Sequence, residues 1–231
     1  RICYSRGESM RASTKRHPSD IRLAVGCDET GRISGFVFDG IFNTGAYASW
    51  GPTVANRVPI HASGPYATKD YRANSIAVHT NAPPAGAFRG FGVPQSAVAQ
   101  ECAFDLLADK LGMDRLAFRR LNALKNGVPT VTGQVFNSGV GIDHCFAALE
   151  DSWHAAVTSA ASFNQTAISD DSPWRRGVGI ASCWYGCGNT SLPNPSTMRI
   201  GITADGRIVL HQGAMDIGQG ANTVITQIAA D

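Results

Sequence analysis

Alternating apolar and polar positions near both ends of the chain predict two β-hairpins. Apolar residues alternate over 21–27 and 33–38, and again over 198–203 and 208–211. A short polar turn joins each pair of segments, Glu-Thr-Gly-Arg in the first and Ala-Asp-Gly-Arg in the second. Glycine in such a turn supplies the positive φ that tight hairpin connections require.

A constant shift in numbering superimposes parts of the two hairpins. It places Gly31-Arg32-Ile33 on Gly206-Arg207-Ile208, and Gly45-Ala46 on Gly220-Ala221. One interpretation is an internal duplication, with a related hairpin and loop near each end. The other is that these turns are common hairpin chemistry. The sequence favours neither, and the connections that follow the hairpins distinguish them.

Helical spacing replaces alternation between the hairpins and predicts three helices. The first ends at Gly112, the second is capped by Asp114 and ends at Asn126-Gly127, and the third begins at Asp143. The residues assigned to the buried faces are Ala99, Cys102, Ala103, Leu106 and Leu107 in the first helix, Leu116, Ala117, Leu121 and Leu124 in the second, and Cys145, Leu149, Ser152, Trp153 and Ala156 in the third.

These elements predict an α+β protein of two lobes, in which hairpins or sheets pack on helices. The first lobe covers 1–164, a linker rich in Ser and Asp covers 165–175, and the second lobe begins at 176 and runs to 231. The chain opens without Met and closes within a helical pattern, so we expect a piece of a longer polypeptide.

Composition narrows the class of protein only slightly. The formal net charge of +2 over 231 residues favours neither a nucleic-acid partner nor an acidic one. No apolar run approaches the roughly 18 residues of a membrane span, and no signal peptide opens the chain, so we expect a cytoplasmic protein. Six cysteines show no framework spacing, which predicts reduced thiols and no zinc site.

The clearest indication of chemistry is the stretch Gly-Ala-Phe-Arg-Gly-Phe-Gly-Val-Pro-Gln at 86–95, directly before a predicted helix. Its glycines allow positive φ or the close approach of a ligand to the main chain. Phe88 and Phe91 supply flat apolar faces, and Arg89 supplies a fixed set of hydrogen-bond donors. Such a loop is typical of a binding site for a large ligand.

This stretch resembles the molybdopterin-binding subunit of the xanthine dehydrogenase and aldehyde oxidoreductase family of molybdenum hydroxylases. A second string similar to the family, Asp-Ile-Gly-Gln-Gly at 216–220, follows in the expected order. Arg119-Arg120-Leu121-Asn122 and Thr132-Gly133-Gln134, which lie between them, also look like the family. The resemblance covers nearly the whole chain and identifies it as a central fragment of that subunit.

The resemblance implies an oxidoreductase that hydroxylates a purine-like or nicotinate-like N-heterocycle, or an aldehyde, with oxygen taken from water. It implies a molybdenum–molybdopterin cofactor or its cytosine dinucleotide form. It also implies iron–sulfur clusters and FAD on other domains or subunits. The expected partners are therefore a small-molecule substrate, the iron–sulfur and flavin components, and the remainder of the molybdopterin subunit.

The resemblance also implies roles for single residues. The backbone at Phe88 and Arg89 is expected beside the molybdenum. Phe91 is expected to offer its ring to a flat substrate, and such stacking contributes about 0.5–1.5 kcal/mol beyond the burial of the two surfaces. Arg57 aligns with the family's substrate-facing arginine, whose guanidinium could offset charge that develops on a heterocycle. The residues by themselves leave two alternatives open, a core aromatic for Phe91 and a surface arginine for Arg57.

A second set of implied roles falls near the end of the chain. Gly218, Gln219 and Gly220 are expected to bind the cofactor, because the Gln219 amide offers both a donor and an acceptor. A plain glycine-rich entry to a helix is the alternative for this loop. Asn189 and Thr190 fall near a further substrate-pocket position of the family.

Other features limit what this chain alone is expected to do. The family's general base, a glutamate in a Gly-Glu motif near the end of the full subunit, does not follow Gly220, so we expect the chain alone to be inactive. An alternative function is a metal-free binding or assembly module of the same fold. A nucleotide-binding enzyme of another class is disfavoured, because neither loop follows the strand, Gly-x-Gly-x-x-Gly, helix order.

Overall fold

The computed structural model describes residues 2–186 and 195–231, and the chain divides into two compact units between Tyr185 and Gly186. The first unit contains α1 (Arg6–Ala12), β1 (Ser19–Cys27), β2 (Ile33–Gly45), α2 (Gly51–His61), β3 (Asp70–His79), α3 (Val93–Leu111), α4 (Arg115–Asn122) and α5 (Ile142–Ser169). The second unit contains β4 (Arg199–Ile202), β5 (Ile208–His211) and α6 (Ala221–Ala230). The predicted α+β class is confirmed.

A three-stranded sheet in the order β1-β2-β3 organises the first unit. β1 and β2 form the predicted antiparallel hairpin, and β3 pairs with β2 in parallel after the chain crosses over through α2. Alternate side chains of β2 point to one face, where Phe36, Phe38 and Phe42 are fully buried against the helices. The sheet therefore places α2 directly beside the loop that leads from β3 into α3.

The end of α3 and the start of α4 follow the local signals, but α4 ends at Asn122, before the predicted stop at Asn126-Gly127, and the buried faces differ from the predicted ones. Gly112 ends α3 with a φ of +63°, and Asp114 Oδ1 accepts a hydrogen bond from the Ala117 amide at 2.9 Å, as predicted. The buried residues of α3 are Val93, Ser96, Gln100, Glu101, Phe104 and Ala108, whereas Cys102 and Leu106 are exposed. The helix turns polar residues inward because a charged partner from α4 lies in the core.

That partner is Arg119, whose side chain is 0% exposed. Its Nη2 lies 2.6 Å from Oε2 of Glu101 and 2.8 Å from Oδ1 of Asp105. Tyr66 donates to Oε1 of Glu101 at 2.9 Å. Burial lowers the pKa of Arg119, but the charges of its partners and the hydrogen bond to Glu101 together outweigh it and leave that pKa above its usual value. A buried charge that is paired and hydrogen-bonded in this way is compatible with a core.

Asn122 gives the rest of the Arg-Arg-Leu-Asn string a structural role. Its Oδ1 accepts from the Ile33 amide at 2.9 Å, and its Nδ2 donates to the Gly31 carbonyl at 2.9 Å. These bonds attach the end of α4 to the β1–β2 turn. The string therefore holds the helices on the sheet.

The long helix α5 begins one residue before the predicted start, and its contact face is narrower than predicted. Its buried residues are Phe146, Trp153, Ala160 and Ala167, each seven positions after the last, whereas Cys145, Leu149 and Ser152 are exposed. Residues seven positions apart recur once in about two helical turns, so α5 is buried along a narrow stripe. Gln165–Ser169 of the predicted linker belong to α5, and the lobe boundaries stay a prediction.

The second unit is small and open. β4 and β5 form the predicted antiparallel hairpin, and α6 follows a glycine-rich loop. None of the residues described in this unit, 195–231, is buried. A cavity of about 250 Å³ lies between the hairpin and α6 and is lined by Met198, Arg199, Ile200, Leu210, Ile225, Ile228 and Ala229.

The turns of the two hairpins have the same hydrogen bonds. The Asp28 amide donates to the Arg32 carbonyl, and the Thr203 amide donates to the Arg207 carbonyl, both at 2.9 Å. A third turn, which Thr130 and Gln134 close at 2.8 Å, repeats this bond at an unrelated offset. The shared turn by itself is therefore no evidence of a duplication, because an unrelated turn of the same chain has the same hydrogen bond. β2 continues to Gly45, whereas β5 ends at His211 and a loop follows, so the duplication stays a hypothesis.

Candidate functional site

The loop between β3 and α3 has an unusual backbone. Gly90, Phe91 and Gly92 all have positive φ, at +90°, +47° and +95°. The Phe91 amide donates to the Phe88 carbonyl at 2.7 Å, and the Val93 amide donates to the Gly90 carbonyl at 2.9 Å. A bulky residue at positive φ is strained, and such strain persists only where the surroundings determine it. The residues around Phe91 therefore hold its backbone in this conformation.

Gly92 shows that this loop is packed tightly on the protein. A Cβ at that position would lie 2.7 Å from Cγ2 of Val58 and 3.1 Å from Cγ1 of Val54, both on α2. The glycine thus allows α2, rather than a ligand, to approach the main chain. This is a different use of glycine from the one that the sequence suggested.

The side chains of the loop form an exposed aromatic and cationic surface. Phe88 is 46% exposed and Arg89 is also exposed. The half-buried ring of Phe91 lies edge-on to Trp50, with the ring centroids 6.4 Å apart, and Trp50 is 58% exposed. Phe91 is therefore not a core aromatic of the described structure, and its ring can contribute to a binding surface together with Trp50.

Two residues that sequence reasoning missed lie under this loop, Arg16 and His17. Arg16 contacts Phe88, Arg89 and Gln95. His17 is 3% exposed, and within the described residues its Nε2 has no hydrogen-bond partner. Burial lowers the pKa of His17, because it disfavours the charged form of the imidazole. No local signal in the sequence identifies either residue, because their partners lie more than seventy positions away.

Arg57 lies on α2, the same helix that packs against the loop. Its guanidinium carbon lies 5.5 Å from the centre of the Tyr185 ring. His61, one turn further along α2, stacks on the same Tyr185 ring, with the ring centroids 5.1 Å apart. The Nδ1 atom of His61 lies 3.1 Å from the Arg57 carbonyl oxygen. Burial lowers the pKa of His61, and the positive charge of Arg57 adds to this effect. Arg57 is thus half-buried in an aromatic setting.

Side chains of the loop before α6 make hydrogen bonds to its own main chain. Gln219 Oε1 accepts from the Ile217 amide at 2.6 Å, and Gln219 Nε2 donates to the Met215 carbonyl at 2.8 Å. Asp216 accepts from the amides of Gly218 and Asn222, at 2.8 and 3.1 Å. Asp216 therefore caps the helix, and among the described residues the Gln219 amide has one N–H and one lone pair without a partner.

Space for a ligand exists beside Gly220. This residue has a φ of +82° and directly precedes α6, and no atom of residues 2–186 or 195–231 lies within 4 Å of the position that a Cβ would occupy. Its neighbours Gly218 and Gln219 belong to the same turn. The loop therefore has an open main chain at the start of a helix, where a negatively charged group is favoured.

Two models of a molybdopterin cofactor-binding domain match the sequence, one over residues 1–123 and the other over residues 147–231. The chain belongs to this family. Both loops fall within the matched residues of the molybdopterin cofactor-binding domains, and the resemblance stated from the sequence is confirmed. The second glycine-rich loop falls under the second model, so the two loops belong to different matched segments.

Similar proteins come from several organisms. The nicotinate dehydrogenase large molybdopterin subunit of Eubacterium barkeri is 44% identical over 62% of this chain and 33% of its own length. A putative xanthine dehydrogenase molybdenum-binding subunit of Escherichia coli is 33% identical over 100% of this chain and 30% of its own length. The structure of an aldehyde oxidoreductase from Desulfovibrio gigas matches with a TM-score of 0.66 and 29% identity, over 69% of this chain and 17% of that one.

The chain spans a third or less of the length of each of these relatives. Asn189 and Thr190, the further pocket residues expected from the sequence, lie outside the described residues. In the described part of the chain, no group of three or more His, Cys, Asp or Glu side chains could hold a metal ion. No helix there is long and apolar enough to span a membrane.

Proposed function

We propose that this chain is the central part of the molybdopterin-binding subunit of a molybdenum hydroxylase, and that the whole protein oxidises an N-heterocycle or an aldehyde. The cofactor supplies the two-electron chemistry when it is bound, with water as the source of the oxygen. The observation that carries the proposal is the strained Phe88–Gly92 loop, which lies in a matched molybdopterin cofactor-binding domain and exposes Phe88 and Arg89.

The residues of the first unit divide between cofactor and substrate. We assign the backbone of Phe88 and Arg89 to the region next to the molybdenum, because the loop fixes that backbone. The ring of Phe91 and the guanidinium of Arg57 are assigned to the substrate. An aromatic face suits a flat heterocycle, and a planar guanidinium offers paired donors to a ring oxygen or a carboxylate.

In the second unit, Gly218, Gln219 and Gly220 are assigned to the cofactor. The open main chain at Gly220 and the remaining capacity of the Gln219 amide support this assignment. Asn189 and Thr190 are proposed as further pocket residues by resemblance alone. The cofactor form, molybdopterin or its cytosine dinucleotide, and the iron–sulfur and flavin partners belong to the same proposal.

An N-heterocycle is the favoured substrate class. The relative with 44% identity is named for nicotinate, and Arg57 is positioned in an aromatic environment. Tyr185 limits the freedom of that guanidinium through the cation–π contact. An aliphatic aldehyde has no ring for Phe91 to cover, so it would use less of this surface.

The test is the molybdenum and pterin content of the full-length protein, produced together with its partner subunits. We expect near-stoichiometric metal and pterin in the parent and reduced amounts in Gln219→Ala. Arg57→Lys should retain the cofactor and lower kcat/KM on nicotinate by about a hundredfold, because lysine lacks the planar fork. Arg22→Ala, which changes an exposed arginine on β1, is the matched control.

A folded parent assembly with neither metal nor pterin would contradict the proposal. The metal-free assembly module would then be the better account. If the parent contains metal and pterin and Arg57→Lys has the same kcat/KM as the parent, the cofactor assignment stands and the proposed role of Arg57 is refuted.

A further inference from the structure

The segment before β1 reaches across the first unit to the Phe88–Gly92 loop. The Lys15 amide donates to the Pro84 carbonyl, and the Gly86 amide donates to the Lys15 carbonyl, both at 3.1 Å. The two stretches of chain therefore run side by side just before the loop begins. This arrangement brings the next residue, Arg16, to the loop itself.

Arg16 makes three different contacts with the loop and the start of α3. Its Nη2 donates to the Arg89 carbonyl oxygen at 2.6 Å. Its guanidinium carbon lies 4.7 Å from the centre of the Phe88 ring. Its Nη1 lies 3.4 Å from Oε1 of Gln95, in the first turn of α3. One planar group thus restrains a backbone carbonyl, an aromatic ring and a helix start.

Gln95 completes the attachment from the other side. Its Nε2 donates to the His17 carbonyl oxygen at 3.2 Å, while its Oε1 faces Arg16. The amide therefore binds the main chain next to Arg16 and fixes the distance between that segment and α3. This gives the Gln of the Gly-x-Pro-Gln motif a defined structural partner.

The loop needs such restraint because of its backbone. Phe91 has a φ of +47° between two glycines that also have positive φ. A hydrogen bond to the Arg89 carbonyl fixes the peptide plane between Arg89 and Gly90, which precedes this run. The guanidinium remains charged although burial lowers the pKa of Arg16, and hydrogen bonds from a charged donor are stronger than neutral ones.

We infer that Arg16 is a positioning residue, which fixes the Phe88–Gly92 loop through the Arg89 carbonyl, the Phe88 ring and Gln95. The inference rests on the proposed function in one respect, that this loop faces the cofactor and a flat substrate. Arg16 acts through the loop and carries no chemical step. Its loss releases the peptide plane before Phe91 and lets the two aromatic rings move.

The experiment uses the full-length protein with its partner subunits and compares Arg16→Met, Arg16→Lys and the control Arg22→Met. Amide hydrogen exchange of the peptide that covers 86–95 measures the order of the loop. We expect about tenfold faster exchange in Arg16→Met, because one charge-assisted hydrogen bond and its neighbours are lost. Arg16→Lys should be intermediate, since it keeps the charge but not the planar fork.

Steady-state kinetics with nicotinate provide the second measurement. We expect KM to rise more than kcat falls in Arg16→Met, with partial rescue in Arg16→Lys, because the aromatic surface for the substrate loses its order. Arg22→Met should match the parent in both measurements. A general structural role would instead accelerate exchange throughout β1 and β2 and lower the unfolding temperature.

The outcomes separate this inference from the proposed function. Unchanged exchange over 86–95 in Arg16→Met, or faster exchange spread over the sheet, overturns the inference. Faster exchange confined to the loop, with unchanged KM and kcat in a protein that contains molybdenum, also overturns it as a positioning role. A parent without molybdenum and pterin refutes the proposed function, while the exchange data still show whether Arg16 orders the loop.

Discussion

The loop at 86–95 is held by hydrogen bonds to a distant part of the chain, whereas the loop at 212–222 has hydrogen bonds among its own residues. Arg16 and Gln95 join the first loop to a segment more than seventy positions away. In the second loop, Asp216 and Gln219 bond to main-chain groups no more than six positions away. The first loop should therefore follow the stability of its unit, and the internal bonds of the second loop should depend mainly on residues close in sequence.

The largest effect is expected from the buried ion pair between α3 and α4 in the first unit. Arg119→Met removes the partner of a buried carboxylate, Glu101, and should lower the free energy of unfolding by about 3–5 kcal/mol. Arg115→Met, which removes partly exposed pairs with Asp105 and Asp109, should lower it by no more than about 1 kcal/mol. Urea denaturation of the full-length protein measures both, with tryptophan fluorescence as the signal.

The same variants also test the comparison between the loops. In Arg119→Met, amide exchange should accelerate over 86–95 together with the rest of the first unit, while the amides of Ile217 and Gly218 keep their parent rates. Equal acceleration in both loops would show that the second loop also depends on the core. Equal destabilisation by Arg119→Met and Arg115→Met would show that the buried pair carries no special weight.

A pair of glycine substitutions compares the loops directly. Gly92→Ala introduces a Cβ 2.7 Å from Val58 at a φ of +95°, and should cost about 3 kcal/mol from strain and overlap together. Gly220→Ala has a similar φ of +82° but open space, and should cost only about 1 kcal/mol from the backbone. The difference in urea midpoints measures the contribution of packing. Similar midpoints would contradict a tightly packed first loop.

Acid should act on the first unit through its buried histidines. Burial lowers the pKa of His17 and of His61 in the folded protein, so the unfolded chain binds protons more readily. Their contribution to stability is full above the unfolded pKa of about 6.5 and is lost as the pH falls below it toward the folded values. Urea midpoints between neutral and mildly acidic pH should fall, and His17→Gln should flatten this dependence. His144→Gln, at an exposed position, should leave it unchanged, and equal slopes in all three proteins would contradict the prediction.

Local signals in the sequence predicted the parts of the fold that local interactions determine. The hairpins, the end of α3 at Gly112 and the cap at Asp114 are confirmed because each depends on residues within a few positions. The face of α3 was wrong because Glu101 is buried by pairing with Arg119, which no apolar period reveals. The family strings identified the family, but contacts such as that between Arg16 and Arg89 exist only in the folded chain.

The smallest effect is expected within the second loop. Gln219→Ala removes the side chain that bonds to Ile217 and Met215, and Asp216→Ala removes the cap on Asn222. Because these groups are exposed, each change should cost about 0.5–1 kcal/mol locally and leave the urea midpoint of the first unit unchanged. Amide exchange at Ile217 and Gly218 should accelerate a few-fold, with no change over 86–95. If either variant also accelerated amide exchange over 86–95, the two loops would be coupled, and the contrast between them would be wrong.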